Sequence, residues 1–333
     1  MLNSSPASGN ATLILRQADF NALLPEQDVL QALRAAFQSL YAGTSVQPPQ
    51  ATGFIPDRVD MIWYPAILGD QEIFGAKLSP WLPRRKDGPQ VTAWTILCSL
   101  LTGEPVLLCD SKALTTERTA ATTALAIEKL APRSAQRLAL IGAGPVGIAH
   151  LRYAWAIHPW SEIRVYSRTL YADDSFMQRI PAHLRQHATV AASAESAVKN
   201  SEVVLLCTSS LVPVIDSRWL QAGQLVTSVT THATHAHEFP PAAIPDCDVY
   251  CDYRATSPAI AGEMVLAAAQ HGWRGDAIRS DLPELISGKG LQPSGNAPIF
   301  FRSMGLGIED LAIANLVLRA HQGKLDAQGG SWK

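Results

Sequence analysis

The chain has 333 residues, 47% of them apolar, which is enough to fill the cores of about two domains. Its net charge of −2, with no Lys/Arg run longer than Arg84-Arg85-Lys86, argues against a nucleic-acid partner. No apolar run approaches the roughly 18 residues of a membrane span, and the N-terminus lacks a signal-peptide pattern. We therefore expect a soluble, cytoplasmic protein without a membrane partner, whose five scattered cysteines are reduced thiols.

The first third of the chain combines one helix with short strands. Residues 27–41 have apolar positions at helical spacing, and Gly43 follows as a stop. Turn residues then separate short β-type runs, which predicts an antiparallel sheet built from hairpins. The predicted strands are 61–64, 74–78, 92–101 and 106–109. An alanine-rich helix is predicted over residues 115–130, with Pro132 as its stop.

From residue 137 onward, strands alternate with helical stretches. This alternation predicts an α/β fold with a Rossmann-type, doubly wound parallel sheet. The predicted strands are 137–141, 162–166, 189–191, 203–207, 225–229 and 249–251. The predicted helices are 146–157, one near 172–186, 194–199 and, at the end of the chain, 307–320.

A glycine-rich turn joins the first predicted strand of this series to its helix. It contains Gly142, Gly144, Pro145, Val146 and Gly147, the GxGxxG pattern in a strand-to-helix context. The first glycine permits a tight turn, the second lets backbone approach a pyrophosphate, and the third lets helix and strand pack closely. The N–H groups that open the helix suit phosphate oxygens. The turn therefore predicts a dinucleotide cofactor.

The end of the second strand bears on which nucleotide is bound. An NAD site usually has Asp or Glu there, whereas this chain has Ser167, Arg168 and Thr169. Two hydroxyls and a guanidinium suit a 2′-phosphate, so NADP(H) is preferred and NAD(H) remains an alternative. In the other interpretation Arg168 is simply a solvated surface residue. A small polar turn after the fourth strand is also predicted to contact the nucleotide: Cys207, Thr208 and Ser209.

Several stretches together resemble the ornithine cyclodeaminase/mu-crystallin family, in the family's order from about residue 20 to 320. They are 74–78, 100–106, 114–121, the glycine-rich turn, 301–305 and 308–312. The resemblance implies a homodimer with an α+β substrate-binding and dimerisation domain (1–115 plus 302–333). The Rossmann domain (116–301) is inserted within it. Members include cyclodeaminases, alanine dehydrogenases and ketimine reductases.

The resemblance also implies that Lys77 and Arg118 face the substrate. It implies further that Thr119, Ser303, Met304 and Gly305 contact the cofactor. The residue chemistry agrees: Arg118 falls in the first turn of the predicted helix, where a carboxylate meets a bidentate donor and the helix dipole. Lys77 falls in an apolar strand, where a buried ammonium is costly without a partner or a task. Alternatively, Lys77 faces outward and Arg118 is a helix-surface charge.

The chain departs from the family pattern in the loop after strand 225–229. Cyclodeaminases carry an acidic residue there, a few residues before a glutamate. If Glu238 is that glutamate, His232 occupies the acidic position. His232, His235 and His237 also suggest a metal site, but no Cys or Asp cluster accompanies them, so we predict no metal. His232 is instead predicted to shuttle a proton.

Three functions follow from these observations. The leading hypothesis is an NAD(P)H-dependent reductase of an α-imino acid, such as pyrroline- or piperideine-2-carboxylate, or of an imine formed from an α-keto acid. In it, Lys77, Arg118 and His232 act on the small-molecule substrate. The second is an ornithine cyclodeaminase that keeps NAD bound and releases ammonia, and His232 argues against it. The third is a non-catalytic NADPH-binding protein of the mu-crystallin type.

Overall fold

The computed structural model describes residues 12–19, 24–87, 91–168, 170, 175–230 and 236–327, with side chains to 323. Within that part, the strands are β1 (Leu13–Leu15), β2 (Ser45–Val46), β3 (Ala51–Ile55), β4 (Val59–Leu68), β5 (Ile73–Trp81), β6 (Trp94–Ser99), β7 (Pro105–Asp110), β8 (Arg137–Ile141), β9 (Glu162–Tyr166), β10 (Ala188–Val190), β11 (Val203–Leu206), β12 (Leu225–Ser228), β13 (Asp248–Cys251), β14 (Ser280–Asp281) and β15 (Ile299–Arg302). The helices are α1 (Glu26–Ala42), α2 (Lys112–Leu130), α3 (Pro145–Ile157), α4 (Phe176–Arg179), α5 (Ala182–Arg185), α6 (Ala194–Val198), α7 (Ser257–Ile260), α8 (Gly262–Gln270), α9 (Leu282–Ile286) and α10 (Gly307–Ala327).

The chain divides into two compact units. The first unit consists of Met1–Ala32, Ala42–Thr115 and Leu306–Lys333, and the second of Leu33–Tyr41 and Thr116–Gly305. Residues 302–305 therefore group with the second unit, whereas the sequence assigned them to the substrate domain. The reason is that β15 is an inner strand of the second unit's sheet, and its carboxyl end leads directly into these residues.

The first unit is built on a mostly antiparallel sheet. Among the described residues its strand order is β1-β7-β6-β5-β4-β2, with β3 paired to β4. β1 is the exception to the predicted hairpin pattern, because it pairs in parallel with β7. Helix α10 packs on β4, β5 and β6 and is buried on nearly every side from residue 307 to 318. A helix buried all round is normally apolar, so the acidic pair Glu309 and Asp310 in this stretch is unusual.

The second unit contains a parallel sheet of eight described strands in the order β10-β9-β8-β11-β12-β15-β13-β14. The chain moves outward from β8 through β9 to β10 and then returns to β11 on the other side of β8. This reversal is the switch point at which doubly wound sheets bind ligands. The α/β, Rossmann-type fold class predicted from the sequence is thus confirmed.

Two helix predictions need correction. Helix α2 begins at Lys112, three residues earlier than predicted, because Ser111 and Asp110 accept the first backbone N–H groups. Arg118 consequently lies in the second turn, beyond the strongest influence of the helix dipole. The helix predicted near 172–186 is two short helices, α4 and α5, where it is described. Pro181 separates them, since proline cannot continue a helix.

Candidate active site

The glycine-rich turn after β8 has the backbone geometry that its sequence predicts. Gly142 has φ +109°, and a Cβ there would lie 2.4 Å from the Cys207 carbonyl oxygen. A Cβ on Gly147 would lie 2.2 Å from the Gly142 carbonyl oxygen. Both obstacles are backbone atoms, so neither position accepts a side chain without moving a strand end or the turn itself.

Gly144 has a different role. A Cβ at this position would meet no protein atom within 4 Å, so packing alone does not require a glycine. Gly144 caps helix α3, Pro145 occupies its first position, and Val146 follows. The bare backbone of Gly144 thus opens onto free space at the N-terminus of a helix, which is the arrangement a diphosphate needs. The residues present fit a dinucleotide.

The end of β9 carries the predicted ribose-binding residues. Arg168 is exposed, and its guanidinium has no hydrogen bond or ion pair to any described residue. Ser167 is half-buried beside it. Thr169 lies outside the described residues. An exposed arginine at this strand end is available for a 2′-phosphate, and it equally fits a solvated surface residue.

Glu238 connects the ends of β11 and β12 at the carboxyl edge of the sheet. Its fully buried carboxylate accepts hydrogen bonds from the N–H of Thr208 and from Ser228 Oγ at 3.1 Å. It also accepts from the N–H groups of Val229 and Thr230 at 3.2 and 3.1 Å. Glu238 therefore sets the path of the polar turn that the sequence predicts beside the nucleotide. Cys207 is buried there, which raises the pKa of its thiol well above the usual range, while Ser209 is exposed.

Lys77 lies in the middle of β5 and is only 1% exposed. Its Nζ is 2.9 Å from both carboxylate oxygens of Asp310 on α10. The ammonium also lies 4.0 Å from the ring centroid of Tyr64, its neighbour across the β4–β5 pair, and 3.5 Å from Thr115 Oγ1. The outward-facing alternative is excluded, since this is a charged amine held in the core of the first unit.

Arg118 belongs to the second unit and is also buried, at 4% exposure. Its guanidinium lies against Gly305, where an added Cβ would be 2.1 Å from Nη1. The surface-charge alternative for Arg118 is therefore wrong. Next to it, Glu117 forms an ion pair with Arg152 and accepts a hydrogen bond from Tyr153 at 2.8 Å. These contacts tie α2 to α3, the helix that begins at the glycine-rich turn.

His150 forms a second link between the same two helices. Nδ1 lies 2.7 Å from the Val146 carbonyl oxygen and Nε2 lies 3.0 Å from Thr123 Oγ1. This geometry assigns the proton to Nδ1, which leaves Nε2 to accept from the hydroxyl. Burial lowers the pKa of His150 from 6.5 to about 4. The ring is therefore neutral at physiological pH.

We expect His150 to make the protein sensitive to acid. The pKa of His150 is lower in the folded protein than in the unfolded chain. The contribution of His150 to the free energy of unfolding is therefore fully present above about pH 6.5, and it falls by about 3 kcal/mol as the pH drops toward about 4. His150→Gln should flatten this loss in denaturant unfolding measured between about pH 7 and about pH 4.5. The exposed His271→Gln serves as control. Equal pH slopes for wild type and His150→Gln would refute the assignment.

Other predictions concern residues that the structure does not describe. His232 and His235 lie outside the described residues, so the proton-shuttle role of His232 stays a prediction. Among the described residues, no group of three potential metal ligands is found. No helix in the described part of the chain is long and apolar enough to cross a membrane.

The structure brings the predicted cofactor residues to one edge of the second unit. Each group follows the carboxyl end of one parallel strand of the sheet: the glycine-rich turn follows β8, and Ser167 and Arg168 follow β9. Thr208 lies after β11, and Ser303 to Gly305 follow β15. Thr119 lies one residue beyond Arg118 on α2. Sequence reasoning missed the partners, above all Asp310. The need for a carboxylate partner could be read from the sequence, because burying a lysine is costly without one, and α10 carries two candidates, Glu309 and Asp310, in an otherwise apolar stretch.

Known proteins are similar to this chain over nearly its whole length. The model of the ornithine cyclodeaminase/mu-crystallin family matches residues 10–324. An NAD(P)H-dependent anabolic L-arginine dehydrogenase from Pseudomonas aeruginosa is 48% identical over 316 residues, covering 95% of this chain and 99% of that protein.

Two solved structures are similar over most of their length. Thermococcus litoralis Delta(1)-pyrroline-2-carboxylate reductase, in complex with NADH and L-proline, has a TM-score of 0.88 at 22% identity and covers 94% of this chain and 98% of its own. The iminosuccinate reductase of Paracoccus denitrificans, in complex with NAD+, has a TM-score of 0.87 at 21% identity, with coverages of 94% and 97%. These structures share the fold of this chain.

Proposed function

The chain belongs to the ornithine cyclodeaminase/mu-crystallin family, and from this we propose that it is an NAD(P)H-dependent oxidoreductase acting on the C=N bond of an α-imino acid. A 2-oxo acid condenses with ammonia, losing water, to give the imine. Hydride adds to the imine carbon and a proton to its nitrogen, which yields the α-amino acid and NAD(P)+. A cyclic ketimine such as pyrroline-2-carboxylate enters at the second step.

The cofactor residues proposed here follow from the fit of the glycine-rich turn. Gly142 and Gly147 keep the turn tight, while Gly144 and the first N–H groups of α3 hold the diphosphate. When bound, the nicotinamide supplies the hydride. The chain itself supplies orientation, charge and the proton.

The observation that carries the proposal is the buried Lys77–Asp310 pair. Removing an ammonium from water costs several kcal/mol, which the carboxylate and the Tyr64 ring offset. Such an arrangement holds a positively charged proton donor at a fixed point in an apolar sheet. We propose that Lys77 Nζ donates a hydrogen bond, and then a proton, to the substrate nitrogen. Arg118 binds the substrate carboxylate through its planar guanidinium.

The 48% identical relative narrows the substrate class that we propose. That protein is named as an L-arginine dehydrogenase, so we propose a 2-oxo acid whose side chain ends in a guanidinium or an amine. The reaction with this chain would then form a basic amino acid. Smaller and cyclic imines are weaker candidates, because the two solved structures named for them are 22% and 21% identical to this chain.

A substrate panel tests the proposal. NADPH and NADH oxidation is followed with ammonia and the 2-oxo acids of arginine, lysine, alanine and aspartate, and with pyrroline- and piperideine-2-carboxylate. We expect the fastest turnover with the 2-oxo acid of arginine. Ammonia release from ornithine, without net change in NADH, would instead favour a cyclodeaminase. No turnover at all, in protein that still binds NADPH, would favour a non-catalytic binding protein.

The proposed preference for NADP(H) depends on Arg168. Arg168→Ala should weaken NADPH binding by about tenfold to a hundredfold, because a charge-assisted hydrogen bond contributes about 1.5–3 kcal/mol. NADH lacks the 2′-phosphate and should respond little. Ser167→Asp should reverse the preference, since a carboxylate binds ribose hydroxyls and repels the phosphate. The exposed Arg133→Ala is the control. Tighter binding of NADH by wild type, with no effect of Arg168→Ala, would overturn the assignment.

A further inference from the structure

We propose that Asp252 is a positioning residue that holds the Arg118 guanidinium in place through the turn formed by residues 303–305. The inference rests on the proposed function, because it takes Arg118 as the group that binds the substrate carboxylate. Asp252 does not itself touch the substrate. It acts through backbone N–H groups of the second unit, to which all of these residues belong.

Asp252 follows the last residue of β13 and is fully buried. Its N–H donates to the Arg302 carbonyl oxygen at 2.9 Å, which continues the parallel pairing of β13 with β15. This register places the Asp252 carboxylate beside the point where β15 ends. Oδ2 accepts hydrogen bonds from the N–H of Met304 and, at 2.8 Å, from the N–H of Gly305.

The other carboxylate oxygen is occupied as well. Oδ1 accepts from Ser257 Oγ at 2.6 Å and from the Tyr253 N–H at 2.9 Å. Ser303 Oγ also donates to Oδ2, at 3.5 Å, so five donors converge on one carboxylate, two on Oδ1 and three on Oδ2. An asparagine has a single acceptor oxygen, so its amide NH2 would face one of these two sets of donors. Only a carboxylate satisfies both sets.

Arg302, the last residue of β15, also stabilises the turn. Its buried guanidinium lies 3.0 Å from Glu263 Oε1 through Nε, and Nη1 donates to the Ser303 carbonyl oxygen at 3.1 Å. Nη2 donates to the carbonyl oxygen of Thr230. The turn is thus held by its N–H groups through Asp252 and by a carbonyl group through Arg302.

These hydrogen bonds fix the position of Gly305. With φ +78° and no side chain, Gly305 presents its Cα directly to Arg118, and an added Cβ would lie 2.1 Å from Nη1 and 2.5 Å from Nη2. The guanidinium therefore rests on backbone that Asp252 fixes. A shift of the turn moves the surface against which Arg118 is packed, and an anchor displaced by about 1 Å binds poorly.

The test compares Asp252→Asn with wild type on the 2-oxo acid that wild type turns over best. We expect KM to rise about tenfold to a hundredfold with kcat changed by less than about threefold, and the Kd of NADPH to change by a smaller factor than KM, because residues 303–305 are also proposed cofactor contacts. A matched pair of inhibitors isolates the carboxylate: L-arginine should lose affinity, whereas agmatine, its decarboxylated counterpart, should not. A purely structural defect would lower the affinity for both.

Two further variants keep the test decisive. Gly305→Ala displaces Arg118 directly, because the added Cβ occupies the space of the guanidinium, and it should give the same rise in KM. In the double variant with Asp252→Asn, the two effects on KM should be less than additive. Gly305→Ala tests the contact between Gly305 and Arg118 on which the inference depends, whether or not Asp252→Asn folds. Asp248→Asn is the control, because Asp248 is a buried carboxylate on the same strand that binds Ser294 N–H and Arg279 and does not contact the turn.

The outcomes are distinguishable. An active wild type whose KM is unchanged by both Asp252→Asn and Gly305→Ala overturns this inference and leaves the proposed function standing. A wild type that turns over none of the panel refutes the proposed function, and the inference falls with it. An equal KM rise in Asp248→Asn also overturns it, since the effect would then be general to buried carboxylates of β13.

Discussion

Lys77→Met should reduce kcat by about 10²- to 10⁴-fold, which is the usual contribution of a positioned proton donor. Methionine preserves most of the volume of lysine and removes the ammonium. The Kd of NADPH should change little, because the diphosphate turn belongs to the other unit. Steady-state kinetics and a fluorescence titration with NADPH measure the two effects.

The same substitution should also destabilise the protein. It leaves the Asp310 carboxylate, 2% exposed, without its cation, and breaking a buried pair costs about 3–5 kcal/mol. The double variant Lys77→Met/Asp310→Asn removes both charges and should recover most of that loss in denaturant unfolding while staying inactive. Wild-type kcat in the double variant would contradict the catalytic role of Lys77.

Gly142→Ala should nearly abolish cofactor binding and lower the stability of the apoprotein. The substitution places a Cβ 2.4 Å from a backbone oxygen and forces alanine to φ +109°. The conformational cost alone is about 1–2 kcal/mol, and the shifted turn loses hydrogen bonds to the diphosphate worth about 1.5–3 kcal/mol each. NADPH affinity should fall at least about a hundredfold, by calorimetric titration.

Substitutions of two other glycines separate the effect on protein stability from the effect on NADPH binding. Gly144→Ala meets no protein atom and has an ordinary φ of −78°, so it should leave apoprotein stability unchanged and still weaken NADPH binding. Gly223→Ala has a φ of +78°, also with nothing near its Cβ, and should lower stability without affecting the cofactor. Full NADPH affinity in Gly144→Ala would mean that the diphosphate lies elsewhere.

The α/β fold class could be predicted because its signals are local. The glycine-rich turn combines a buried strand, three glycines and a helix start within a few residues, and those features suffice to indicate a Rossmann unit. The parallel pairing of β1 with β7 lies beyond such reasoning, since it joins residues far apart in the chain. The early start of α2 was missed because its capping groups, Asp110 and Ser111, belong to the preceding strand and turn.

The residues of the candidate site likewise fall into those that local sequence predicts and those that depend on long-range contacts. Lys77 and Arg118 could be named from motifs, and the cost of burying an ammonium pointed to a partner for Lys77. The identity of that partner depends on how α10 lies on the sheet, which no local pattern encodes. Asp252 is harder still to find. Its function lies in accepting backbone N–H groups, and these depend on strand register and not on residue type.

The separation of Lys77 from Asp310 by 233 residues has a consequence for the nascent chain. At about 5–20 residues per second, translation needs about 10 to 50 seconds to proceed from one to the other. During that interval β4, β5 and β6 lack the helix that covers them, and the Lys77 ammonium has no counter-ion. The sheet surface that α10 covers therefore stays exposed throughout that interval, and slower translation lengthens the exposure.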